Sequence, residues 1–323
     1  MPNAEHLLAV THLLRPIEPY LAMPGITDIC FSKPGILFIE AQGVWHTFEN
    51  ETLTLEWARA LIVAAATAEA KPVGEKHPFL SAALPYGLRL SAVLPPACRA
   101  IRIILCFRVA SQADVDFDSF EWHFDDSSPQ ALKARRLGRA DSLLLLSKEA
   151  LRDKIREGAN VVVVGNTGSG KTAMLRWLVR LTLPQDRLVT IEDVHEIALT
   201  MHPNHAQLFY GEALGISAST CLRETLRLHP GRIILNECRG AEAFEFLQIL
   251  SSGHRGAMTT FHTESTDHAI ERLVLLARLH PAAAGLEPAV LTALASRNID
   301  VVIRTEFNRT KTKTRMASVK CLR

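Results

Sequence analysis

Residues 161–175, VVVVGNTGSGKTAML, constrain the fold more than any other stretch of the chain. Val161 to Val164 are four β-branched residues in a row, suited to a short buried parallel strand. The pattern G-x-x-x-x-G-K-[ST] follows at once, from Gly165 to Thr172, and Ala173 to Leu181 continues as a helical stretch. Strand, glycine-rich loop and helix in that order make a phosphate-binding loop, the P-loop. Its glycines let backbone N–H groups turn inward, and the helix N-terminus adds positive potential at the same place. Gly165, Asn166, Thr167, Gly168, Ser169 and Gly170 are thus the cradle. Lys171 is expected to reach the β- and γ-phosphates, and the Thr172 hydroxyl is expected to hold Mg²⁺.

A P-loop sits in an open sheet flanked by helices, and the chain has the length for that and a second core. Of its 323 residues, 48% are hydrophobic and 22% charged, a globular balance. The net charge of +2 is too even for a dedicated nucleic-acid site, which leaves a strongly basic domain. Cys30, Cys98, Cys106, Cys221, Cys238 and Cys321 contain no C-x-x-C pair and read as reduced, mostly packed thiols of a cytosolic protein. The opening MPNAEHLLAVTHLLRP has no basic region ahead of a long apolar core, so it does not read as a secretory signal. No apolar run approaches the ~18–20 residues of a membrane span. Any membrane association is therefore expected to be peripheral.

Up to about residue 110, short strand-like runs alternate with turns. Ile26–Phe31, Gly35–Ala41 and Val44–Phe48 are punctuated by Pro24-Gly25, Pro34-Gly35 and Gln42-Gly43. Leu53–Glu69 is helical in pattern, and Leu88–Leu94 and Ala100–Val109 read as further strands. This predicts a small α+β domain over 1–110. Residues 111–141 hold an acidic block followed by Lys133, Arg135, Arg136 and Arg139, which reads as an exposed charged linker. From 142 to 323, strand candidates at Asn160–Val164, Arg187–Ile191, Arg232–Leu235, Ala257–Thr260 and Val301–Arg304 alternate with helical patterns. The fold class expected is α/β: a P-loop NTPase domain with a mostly parallel sheet, preceded by the smaller α+β domain.

Three stretches end strands beyond the P-loop, where ligands bind in such sheets. In Thr190-Ile191-Glu192-Asp193-Val194-His195-Glu196, two adjacent carboxylates can hold Mg²⁺, partly through water, or orient an attacking water. Asp193 and Glu196 equally fit a helix capping box. Arg232-Ile233-Ile234-Leu235-Asn236-Glu237 is an apolar strand ending in a carboxylate, the Walker B pattern, with Glu237 placed to polarise water. A surface acid at a strand end reads the same way. The third stretch, SGHRGAMTTFH, sets His254 and His262 on either side of a short strand. A histidine there suits sensing of a γ-phosphate or a structural role; zinc is disfavoured because no cysteine or carboxylate lies at ligand spacing.

In this order and spacing, TIEDVHEI, RIILNECRG and SGHRGAMTTFH resemble the Asp, Walker B and His boxes of the hexameric traffic ATPases of type II/IV secretion and pilus systems. The stretches PGITDICFSKPGILFIE and LPYGLRLSAVLPP are similar to the conjugation-type branch, the VirB-type type IV secretion ATPases. The resemblance implies a RecA-like core that binds ATP and Mg²⁺ and works as a homohexameric ring. It also implies a cytoplasmic protein held peripherally at the bacterial inner membrane by secretion-complex proteins, moving protein or DNA cargo or assembling a pilus. Under it, Lys171 and the loop hold phosphates, Thr172, Glu192 and Asp193 hold the metal, Glu237 orients water and His262 reports the γ-phosphate. His254 counts among the essential residues. Arg89 and Arg108 close on the nucleotide, and Arg223, Arg227 or Arg239 act across the subunit interface. The chain departs from the family's L-R-x-R-P-D-R at His229 and Gly231, and carries Asn236, Arg255 and Ala257 where other residues are usual. These departures bear on turnover and subunit contacts more than on ATP binding. A nucleotide-gated scaffold and a nucleic-acid motor with a related core are the competing classes.

Overall fold

The computed structural model of the chain describes residues 4–42, 44–109, 117, 120–126, 147–211, 214–307 and 315–322. It falls into two compact units, Met1–Ala113 and Asp114–Arg323.

The first unit runs α1 (Ala4–Leu14), α2 (Glu18–Leu21), β1 (Ile26–Lys33), β2 (Ile36–Ala41), β3 (Val44–Glu49), α3 (Leu55–Ala68), β4 (Phe79–Leu84), β5 (Leu88–Val93) and β6 (Ile104–Val109). Its strands form one antiparallel sheet in the order β3-β2-β1-β6-β5-β4. Helix α3 starts where the Thr54 side chain accepts from the Trp57 N–H at 3.1 Å, an N-cap worth about 1 kcal/mol. The Trp57 indole donates to the Leu13 carbonyl at 2.8 Å and ties α3 to α1. Trp57, Leu61 and Ile62 then bury against Ile29, Phe31, Leu105 and Phe107, alternate residues of the two central strands. This is the small α+β domain expected.

The second unit runs β7 (Glu121–Asp126), α4 (Lys148–Arg156), β8 (Val161–Val164), α5 (Lys171–Leu181), β9 (Leu188–Glu192), β10 (His205–Phe209), α6 (Ala218–Thr225), β11 (Arg232–Leu235), α7 (Glu242–Ser251), β12 (Met258–Phe261), α8 (Ala269–Ala277), α9 (Pro288–Asn298), β13 (Val301–Phe307) and β14 (Arg315–Cys321). The sheet order is β10-β9-β11-β12-β8-β13-β14-β7. The strands from β10 to β13 are parallel to one another, β14 is antiparallel to β13, and β7 is parallel to β14. Every residue of β8, β9, β11 and β12 is buried, as a sheet covered on both faces requires. Alternate residues feed two cores. Val162, Val164, Ile233, Leu235 and Phe261 face Phe246, Leu247 and Leu273 of α7 and α8. Val161, Val163, Ile234 and Met258 face Leu151 and Ile155 of α4 and Met174, Leu175 and Leu178 of α5. The expected α/β architecture of the P-loop domain is observed.

Two polar ties hold the loops at the N-terminal edge of this sheet. Arg232, at the head of β11, is buried; its Nε donates to Asp186 at 2.6 Å, and its two Nη atoms donate to the Ile155 and Arg156 carbonyls at 2.6 and 2.9 Å. It thereby neutralises Asp186 and satisfies the open carbonyls at the end of α4. His202 is 1% exposed, with Nε2 2.9 Å from the Thr182 hydroxyl. Burial holds its imidazole below the ordinary value. The unfolded chain therefore takes up this proton first as pH falls. The stabilisation is complete above about pH 6.5 and is lost on acidification through the folded-state value. Urea midpoints between about pH 8 and about pH 5 are expected to fall less in His202→Gln than in the parent; equal slopes would remove the assignment.

The charged linker expected over 111–141 is corrected in part. Residues 121–126 are β7, an edge strand paired with β14 from Glu121↔Met316 to Asp126↔Cys321. Charged and aromatic residues alternate along it: Glu121, His123 and Asp125 are exposed, and Trp122 and Phe124 are partly covered. Phe117, Phe120, Trp122 and Trp177 cluster with ring centroids 4.6 to 6.3 Å apart. That cluster supplies the burial a linker lacks. The basic block from Lys133 to Arg139 lies outside the described residues.

Candidate active site

Four neighbouring parallel strands, β9, β11, β12 and β8, end on the same edge of the sheet, and each delivers one of the motifs there. The P-loop leaves β8 through Gly165, Gly168 and Gly170 at φ of 148, 74 and 95°, which side-chain-bearing residues rarely adopt. At Gly165 an added Cβ would overlap the Thr305 carbonyl and the Ser169 Oγ. The Ser169 hydroxyl lies 3.0 Å from that of Thr305 on β13, which braces the loop from the side. Helix α5 then begins at Gly170, which has no side chain to cap it, so the cap position offers no acceptor to compete with an anion at the helix N-terminus.

Lys171 is 9% exposed and donates to the Gly165 and Asn166 carbonyls at 3.0 and 2.9 Å. It also donates to His262 Nδ1 at 3.2 Å. An ammonium has no lone pair, so Nδ1 must accept and the ring proton must sit on Nε2. From there His262 donates to Glu237 Oε1 at 3.0 Å. Burial, and next the Lys171 charge, hold this imidazole below its ordinary value, in keeping with the neutral tautomer. The topology explains the bridge: β12 lies between β8 and β11, so the residue after β12 spans the P-loop lysine and the Walker B acid.

Glu237 Oε2 accepts from Arg239 at 2.6 Å, and Arg239 donates from its other Nη to Asp193 Oδ2 at 2.8 Å. Burial pushes the Glu237 carboxyl up, but Arg239, then His262 and Lys171, outweigh it and hold it below the usual carboxylate range. One chain of contacts thus runs Lys171, His262, Glu237, Arg239, Asp193 across four strand ends. Arg239, expected to act across a subunit interface, is here committed to two acids of its own subunit. Arg223 pairs with Glu245 at 2.9 Å and Arg227 with Glu224 at 2.8 Å.

Other expected site residues take no part in this chain of contacts. Glu192 is fully buried and accepts from the Thr190 hydroxyl at 2.7 Å, the Glu196 and Ile197 N–H groups at 2.8 and 2.9 Å, and Gln207 at 3.3 Å. Four donors fill the acceptor capacity of a carboxylate. Glu192 therefore shapes the Asp193–Ile197 turn rather than reaching a metal, and Asp193 is the acid that the turn presents. The capping-box alternative for Asp193 and Glu196 fails as well, because no helix starts there and Glu196 Oε2 accepts from Asn236 at 3.1 Å. His254 precedes β12 and His262 follows it, so the whole strand, four residues at ~3.3 Å each, lies between them and they flank opposite edges of the sheet. The His254 ring lies 3.3 Å from the Ser252 hydroxyl and takes no part in the Glu237 cluster. Arg89 and Arg108 belong to the first unit, directly opposite each other on β5 and β6, with Arg108 also 3.4 Å from Asp28. Like charges so placed repel. Thr305, which braces the P-loop, carried no motif signal.

Residues 14–304 match the family described as Type II/IV secretion system protein. The chain is a member of the type II/IV secretion family. Among its relatives, the type IV secretion system protein PtlH of Bordetella pertussis is 35% identical over 308 residues, covering 91% of this chain and 89% of PtlH. The type IV secretion system protein VirB11 of Brucella suis is 34% identical over 309 residues, covering 91% and 85%. The crystal structure of the Brucella suis VirB11 ATPase in complex with sulphate superposes with a TM-score of 0.52 at 31% identity, covering 98% of this chain and 95% of that one. The Legionella pneumophila ATPase DotB, at 17% identity and a TM-score of 0.61, shares the fold over 96% of this chain and 79% of its own. This secretion-family chain is accordingly a nucleotide-using type IV secretion ATPase with a RecA-like core, the class that its motifs resembled.

Proposed function

We propose that this secretion ATPase hydrolyses ATP with Mg²⁺ at the edge where β8, β12, β11 and β9 end. The single observation that supports this most is the Lys171–His262–Glu237 chain, which joins the phosphate-holding cation to the acid that would activate water. The residues fit the ligand: the Gly165 cradle has no room for a Cβ, the helix cap offers no competing acceptor, and the Lys171 ammonium is buried beside it. Mg²⁺ keeps several waters and uses few protein ligands, and the Thr172 hydroxyl with the Asp193 carboxylate is a donor set of that kind. When bound, the metal would neutralise phosphate charge during the transfer. Lys171 exchanges its loop-carbonyl and imidazole partners for phosphate oxygens. His262 Nδ1 is then relieved of its donor, and the ring can turn or take up a proton as the phosphates arrive. Glu237 is released in step and accepts a hydrogen bond from the attacking water. Arg239 holds Glu237 and Asp193 in register until then.

The working form is a homohexameric ring, held peripherally at the inner membrane by secretion-complex proteins and acting on protein or DNA cargo. Among the described residues no helix is long and apolar enough to cross a membrane. Phosphate release by the purified protein is expected in Mg²⁺ buffer and is expected to stop on chelation with EDTA. Release that survives chelation would remove the metal assignment; tight ATP binding without release in Mg²⁺ would favour a nucleotide-gated scaffold.

A further inference from the structure

None of the six cysteines belongs to the site above. Cys221, Cys238 and Cys321 are buried, and Cys98 is bonded to the Val93 and Arg102 carbonyls at 3.6 and 3.3 Å. Cys30 and Cys106 differ from all four. They stand directly opposite each other on β1 and β6, the two central strands of the first sheet. The Cys30 thiol donates to Cys106 Sγ at 3.5 Å, and both residues are only partly buried. They lie on the face away from Ile29, Phe31, Leu105 and Phe107, in the ladder next to Asp28 and Arg108.

Directly opposed residues of antiparallel strands have Cα atoms about 4.5–5.5 Å apart. That falls inside the ~4.4–6.8 Å span that a disulfide bridges. Side-chain torsion alone can therefore bring the sulfurs to bonding distance, with the backbone ladder intact. The pair is also electronically unequal. The Cys30 hydrogen bond draws the Cys106 thiol below its ordinary value, with Arg108 assisting against burial and Asp28. The same contact, with burial behind it, holds the Cys30 thiol up. Arg108 stands two residues from Cys106 on the same face and Asp28 two residues from Cys30, so the thiolate is favoured at Cys106, the attacking sulfur, and Cys30 resolves.

We propose that Cys30 and Cys106 form a reversible oxidation site that closes to a cross-strand disulfide by exchange with a low-molecular-weight disulfide such as oxidised glutathione. The Cys106 thiolate attacks one sulfur of the donor, forming a mixed disulfide and expelling one glutathione thiolate. That thiolate takes up the proton which Cys106 released. Cys30 gives its proton to solvent base and attacks the Cys106 sulfur, expelling the second glutathione thiolate, which is protonated in turn. The two protein sulfurs lose two electrons between them and the donor disulfide gains two. The product staples the two middle strands of the first sheet.

The test uses the full chain, reduced and folded, exposed to oxidised glutathione, then denatured and alkylated with excess iodoacetamide at mildly alkaline pH. Intact mass is expected to show a species with two fewer carbamidomethyl groups than the fully reduced protein and no glutathione adduct at the pair. Its non-reduced tryptic map should join the Cys30 peptide to the Cys106 peptide, and dithiothreitol should reverse the change. Cys98, in the same unit without a partner thiol, should reach only a mixed disulfide. In Cys30→Ser, Cys106 should stop at the glutathione adduct. Stable adducts at both Cys30 and Cys106 without a cross-link, or reaction of Cys98 alone, would overturn the proposal. If the serine variant does not fold, phenylarsine oxide on the parent decides the same question. It should protect Cys30 and Cys106 together from alkylation; protection of neither, or of one alone, rejects the paired site.

Discussion

Glu237→Gln is expected to bind ATP as the parent does and to turn it over about 10²- to 10⁴-fold more slowly, the range that a positioned general base supplies. The substitution keeps the shape and removes the charge. A glutamine oxygen can still accept from His262 or Arg239, so the strand ends stay in place, but it cannot take a proton from water. The phosphate cradle lies two strands away on β8 and is untouched. Phosphate release measured beside calorimetric ATP affinity separates the two effects. Turnover equal to the parent's would move the water-activating role off Glu237. Loss of binding along with turnover would mean that the residue holds the fold of the site rather than its chemistry.

Lys171→Ala is expected to weaken ATP binding by about 100-fold, equivalent to about 3 kcal/mol. The buried ammonium is the cation aimed into the loop, and an alanine leaves the phosphates the N–H cradle and the helix end alone. The change also strips a donor from the Gly165 and Asn166 carbonyls and from His262 Nδ1. Some loss of stability accompanies it, about 1–3 kcal/mol for buried acceptors left unpaired. Calorimetry on protein whose melting has been checked resolves affinity from folding. Unchanged affinity in a folded variant would reject the role given to Lys171.

Much of this site was legible because its strands are buried on both faces. VVVV, RIIL and LVTI are β-branched or leucine-rich runs that suit little else, and ligand-bearing residues follow directly where such strands end. The strands that escaped are those with weak or half-polar patterns. FLSAAL in β4 is rich in small residues, HAQLF in β10 lies at the sheet edge with no residue buried, and EWHFDD in β7 hid its aromatic alternation inside an acidic block. RMASVKC in β14 does alternate, with Ala317, Val319 and Cys321 buried, but it stands beyond the last motif. Within the site, residue type was readable and partnership was not. Glu192 and Asp193 are adjacent carboxylates in the sequence. Only the fold of the 193–197 turn sends the first inward to four donors and leaves the second to meet Arg239. His254 and His262 look like one box until the strand between them is seen to carry them to opposite edges.

The pairing of β7 with β14 sets a timetable for assembly. The strand that opens the second unit is hydrogen-bonded to the described strand farthest along the chain, from Glu121↔Met316 to Asp126↔Cys321. During synthesis, Glu121–Asp126 leaves the ribosome long before its partner exists, with Phe117, Phe120 and Trp122 waiting to be covered. The central strands can gather around β8 in the meantime, yet the sheet's outer edge stays open until almost the whole domain has emerged. Closing such distant ends early would carry the loop-closure cost of everything between them. A nascent chain stalled before residue 315 would therefore present a nearly complete nucleotide-binding core with an unsealed, aromatic-rich flank, the kind of surface that chaperones hold.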